Sequence, residues 1–77
     1  MAGVSKNVAG MRPGEVGIVS GFTDDHLSLK LMEMGCLPGS AIRFNFKAPL
    51  GDPICISVSG YELSLRLEEA AAISILN

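Results

Sequence analysis

Two runs of alternating apolar residues, joined by Ala48-Pro49-Leu50-Gly51-Asp52-Pro53, constrain this chain more than any other feature. Before the joint, Ile42, Phe44 and Phe46 alternate with Arg43, Asn45 and Lys47; after it, Ile54, Ile56 and Val58 alternate with Cys55, Ser57 and Ser59. A period of two puts one face of each run in a core and leaves the other wet, which predicts that Phe46 is buried beside Ile42 and Phe44. The joint is a stiff turn. Its two prolines fix φ, Gly51 can take the positive φ that a sharp reversal needs, and Asp52 can cap free backbone N–H groups. The two runs therefore pair antiparallel. A loop of this kind holds its shape before it meets a partner, which suits an interaction domain better than an enzyme.

The neighbouring segments extend the pattern. From Glu15 to Phe22, Val16 and Ile18 share one face and Gly17, Val19 and Gly21 the other, as in a bent, half-buried strand. Thr23 or Asp24 then caps a helix that ends at Gly35, with Asp24 and Asp25 where the helix dipole favours negative charge. Leu27, Leu31 and Met34 form its core stripe, whereas Leu29 and Met32 project to nearly the opposite side. Pro38 and Gly39 stop any helical continuation. Beyond Gly60, Tyr61, Leu63 and Leu65 mark a fourth strand, Glu68, Glu69 and the following alanines one helical turn, and Ile73 and Ile75 a short fifth strand. Residues 1–12 carry no period and read as a flexible lead-in, leaving one domain over 13–77. About five short strands, with one helix between the first and second, cannot bury their faces as a flat sheet. The expected architecture is a small, mainly β barrel.

Composition narrows the function. A chain of 77 residues holds one modest core, and 48% hydrophobic content is well within the globular range. A net charge of -2 lacks the electrostatic footprint of a nucleic-acid binder. No run approaches the roughly 20 apolar residues of a membrane span, and the start lacks a signal-peptide core, so a cytoplasmic protein with no direct membrane insertion is expected. Cys36 and Cys55 are too few for a disulfide scaffold and read as reduced thiols. His26 and Cys36 lie about 15 Å apart by the helical rise, so neither a metal site nor a cofactor is expected. The sole histidine has no evident nucleophile to activate, and no glycine-rich loop has nucleotide-binding spacing, so no catalytic residue is assigned.

Three blocks carry a resemblance. Lys30-Leu31-Met32-Glu33-Met34-Gly35-Cys36-Leu37-Pro38-Gly39, the Ala48 to Pro53 turn, and Gly60-Tyr61-Glu62-Leu63-Ser64-Leu65-Arg66 followed by Glu68-Glu69-Ala70 occur in that order. From Glu15 onward the chain resembles the FeoA family of small bacterial ferrous-iron transport proteins. The resemblance implies an SH3-like β-barrel, without catalytic activity, that works in the cytoplasm with FeoB, a large membrane protein carrying a cytosolic G domain and the iron permease. Cys36 stands where the family usually has Leu or Phe, and Cys55 where it is commonly polar, so neither is a family metal ligand.

The expected partner-binding residues are Leu50, Gly51 and Asp52 on the turn and Leu29, Met32 and Glu33 on the helix. Leu50 and Met32 would anchor, Asp52 and Glu33 would orient by charge, and Gly51 would shape the loop. The competing reading is a module that responds weakly to ferrous iron through His26 or a cysteine, or one that self-associates as a weak homo-oligomer.

Overall fold

In the computed structural model, which describes residues 6–76, the stiff turn joins the third and fourth of six antiparallel strands. In chain order these are β1 (Lys6–Asn7), β2 (Val16–Phe22), β3 (Ala41–Lys47), β4 (Ile54–Val58), β5 (Tyr61–Leu65) and β6 (Ile73–Leu76). They form one curled sheet in the order β1-β6-β2-β3-β4-β5. Two helices punctuate it: α1 (Asp25–Met34) between β2 and β3, and α2 (Leu67–Ala71), a single turn between β5 and β6. Among the described residues no ladder joins β5 to β1. The gap is closed by α2, which packs against a 3₁₀ turn over Val8–Gly10. The expected SH3-like barrel is thus present, plugged by a helical turn at its seam.

The inner face follows the alternation. Val19, Ile42, Phe44, Ile54, Ile56, Val58, Leu65, Ile73 and Ile75 all lie in the core, and a register shift between Val19 and Gly21 bends β2 against β6. The helix also forms where its caps predict. Asp24 accepts hydrogen bonds from the N–H groups of His26 and Leu27 at 2.8 and 3.3 Å, and Gly35 ends α1 in the left-handed conformation at φ 110°. Leu31 is fully buried, with Leu27 and Met34 packed against the core beside it.

Phe46 corrects the expectation for β3, because it is 58% exposed rather than buried. Phe44 pairs with Ile56 but Phe46 pairs with Cys55, so Asn45 is an extra residue, a bulge. Asn45 Nδ2 occupies the irregularity by donating to Ser57 Oγ at 2.8 Å. One inserted residue flips everything beyond it to the other face, so Phe46 joins Cys55 outside while Phe44 stays within.

The chain's beginning is the second correction. The flexible lead-in expected over 1–12 falls, for residues 1–5, outside the described residues. From residue 6 onward it is part of the domain, because Lys6 and Asn7 pair with Ile75 and Ser74, Val8 is fully buried, and Met11 is nearly so. Asn7 caps the 3₁₀ turn by accepting from Gly10 N–H at 3.2 Å, and Lys6 Nζ meets Glu15 Oε2 at 2.7 Å. Buried side chains on an irregular segment produce no period, which is why alternation could not reveal them. Val8→Ala should cost about 2 kcal/mol of unfolding free energy by denaturant titration; a loose segment would give no measurable change.

Candidate functional site

The turn between β3 and β4 is closed by its own backbone before anything binds. Ala48 N–H donates to Pro53 O at 3.0 Å and Gly51 N–H to Ala48 O at 2.7 Å. Gly51 sits at φ 89°, the left-handed region that an L side chain resists. Leu50 at the tip is 96% exposed, so its whole side chain is offered to solvent on a fixed loop. Asp52 has a task inside the fold: its Oδ1 accepts from Leu67 N–H at 3.1 Å and satisfies a free donor at the start of α2. Leu67 is itself exposed and adds an apolar residue beside Asp52 that the sequence reading did not single out.

On α1, Asp25, Leu29, Met32 and Glu33 fall within an arc of about 100° on the side opposite Leu31. Leu29 is 62% exposed, Met32 half-buried, and Asp25 and Glu33 exposed. Lys30 lies toward the barrel and reaches Glu69 Oε2 at 2.6 Å.

Glu69 is the residue that sequence reasoning missed as an organiser. It is 4% exposed, and its second oxygen accepts from Arg66 N–H at 2.8 Å, the half of a capping box that a glutamate at the third position of a helix supplies. That spacing, Arg66 to Glu69, was the available signal. The Lys30 hydrogen bond first, and the Arg66 N–H second, hold the Glu69 carboxyl below the ordinary carboxylate range. Glu15 is lowered in the same way by Lys6 and by the Arg12 N–H. A lowered carboxylate stabilises the fold at pH values above its unfolded pKa and loses that contribution as pH falls through its folded one. Burial, then the Glu69 charge, push the Cys36 thiol up.

The structure therefore attaches both expected patches to the first turn of α2, the loop through Asp52 and the helix through Lys30. Chemically the arrangement offers surfaces. Among the described residues no three His, Cys, Asp or Glu side chains converge to hold a metal ion, and no buried side-chain polar atom lacks a partner. No helix is long and apolar enough to cross a membrane.

The fold is a small SH3-like barrel that carries a preformed apolar loop tip and an amphipathic helix. Residues 6–76 match the FeoA domain model, and the chain belongs to the FeoA family. It is 33% identical to a FeoA-like protein from Clostridium acetobutylicum, with a TM-score of 0.86 over 94% of this chain and 85% of that one. An iron uptake regulatory protein (FeoA) is 30% identical, with a TM-score of 0.80 and 94% of each chain covered. The zinc complex of Stenotrophomonas maltophilia FeoA, an SH3-domain protein, shares the fold at 22% identity, with a TM-score of 0.80 over 92% of this chain and 89% of that one.

The different situations of Asp52 and Leu50 give opposite expectations for stability. Asp52→Ala should cost about 1 kcal/mol by removing the partner of Leu67 N–H, while Leu50→Ala should stay within about 0.5 kcal/mol of wild type. Equal effects of the two substitutions in thermal denaturation would contradict this division of roles.

Proposed function

We propose that this protein is a non-enzymatic accessory factor of bacterial ferrous-iron uptake, acting in the cytoplasm by docking on the FeoB membrane GTPase and permease. The observation that carries this reading is Leu50, nearly fully exposed at the tip of a loop hydrogen-bonded at both ends. A large apolar side chain held rigidly in water gives the fold nothing, whereas a partner's pocket can take it up with little ordering cost. Met32 and Leu29 supply a second contact on α1, Glu33 a charge, and Gly51 the loop's shape. Asp52 contributes chiefly by fixing the loop to α2. Family membership and the iron-uptake role named for the relative at 30% identity support the process.

Binding to detergent-solubilised full-length FeoB tests the reading. Leu50→Ala and Met32→Ala should each weaken co-purification by roughly tenfold, as loss of an interface anchor does. If both variants remain folded and bind as wild type does, the assignment is wrong.

A further inference from the structure

The charges of the molecule are unevenly spread around α1. Of six Lys and Arg residues, Lys6 and Lys30 are drawn into ion pairs with Glu15 and Glu69, and Arg12, Arg43, Lys47 and Arg66 lie outside α1. The outward arc of α1 carries Leu29 and Met32 interleaved with Asp25 and Glu33. Among the described residues neither of these acids meets a cation at ion-pair distance.

Glu33 is also badly placed for the helix that carries it. It lies in the last turn, where the dipole end is negative, and no basic residue stands in that turn to offset it. The helix dipole therefore opposes this charge. An acid in the last turn that is unpaired among the described residues, beside an exposed leucine, gives this face both charge and apolar area to offer a partner.

We infer that the outward face of α1 docks a basic amphipathic segment of a protein partner, with Leu29 and Met32 entering an apolar strip and Asp25 and Glu33 meeting flanking Lys or Arg side chains. This rests on the reading of α1 as part of the partner surface and names the chemistry it accepts. Charge complementarity selects the occupant: the acids would be repelled by an anionic bilayer and by a second copy's identical face.

The test uses a synthetic helical peptide of leucine and lysine in amphipathic order, its counterpart with glutamate for lysine, and phosphatidylglycerol vesicles, each titrated into the full chain while backbone amide shifts are followed. The leucine–lysine peptide should shift residues 25–34. Its affinity should fall about tenfold in Asp25→Asn/Glu33→Gln, fall again with added salt, and be lost in Leu29→Ala. Glu33→Gln alone should raise Tm by about 1–3 °C while weakening binding, a pairing of signs that a structural role would not give. Equal binding of the leucine–glutamate peptide overturns the inference, as do shifts confined to other elements, vesicles occupying α1, or α1 shifts that follow protein concentration alone. Peptide binding without FeoB binding would support this inference while removing FeoB as the partner. FeoB binding indifferent both to Asp25→Asn/Glu33→Gln and to salt would sink the inference and leave FeoB in place.

Discussion

The carboxylate of Glu69 is the interaction on which the arrangement of this small barrel depends. It is almost wholly removed from water, yet both its oxygens are engaged, one by Lys30 of α1 and the other by the N–H of Arg66 at the start of α2. A buried carboxylate is tolerated only when its charge is met, so the position of α1 and the first turn of α2 are coupled through one group. Since α2 also fills the seam between β5 and β1 by packing on the turn that carries Val8, the same carboxylate links the helix to the closure of the core. Lys30 remains more than half exposed, so its ion pair alone contributes modestly. The coupling comes from satisfying a buried charge at two points.

From this junction follows the character of the surface. α2 receives Asp52 from the loop and Lys30 from the helix, so two exposed apolar features are held by one helical turn rather than left to find their positions on binding. Ordering side chains and loops on association is costly, and a surface ordered in advance avoids part of that cost. The iron-uptake reading needs no chemistry from the chain itself, only a fixed shape and an uneven distribution of charge.

Much of this was legible from residue order. The strands β2 to β6, the alternation of β3 as far as Phe44, the Asp24 and Gly35 caps of α1, the outward Leu29 and the Gly51 turn all rest on local rules, and each is realised in the structure. What escaped depended on partners far along the chain. Phe46 was misplaced because a bulge at Asn45 is set by how β3 meets β4, and alternation within β3 alone gives no sign of it. Val8 lies in a turn packed by β6 and α2, which arrive more than 50 residues later, and an irregular segment carries no period to announce its burial or that of Met11. Asp52 was read as able to cap free backbone N–H groups and does so, but the donor it meets, Leu67, lies fifteen residues on, outside the turn. Glu69 was read only as part of one helical turn, because its partner Lys30 stands 39 residues before it.

Hydrogen exchange of the α1 amides in wild type and in Glu69→Gln measures the central coupling directly. If the carboxylate ties α1 to α2, the substitution should raise α1 exchange about tenfold or more at neutral pH while the β3–β4 amides change much less. Unchanged protection of α1 in a folded Glu69→Gln protein would show that the helix is held by Leu31 and its neighbours alone, and the proposed junction would be wrong.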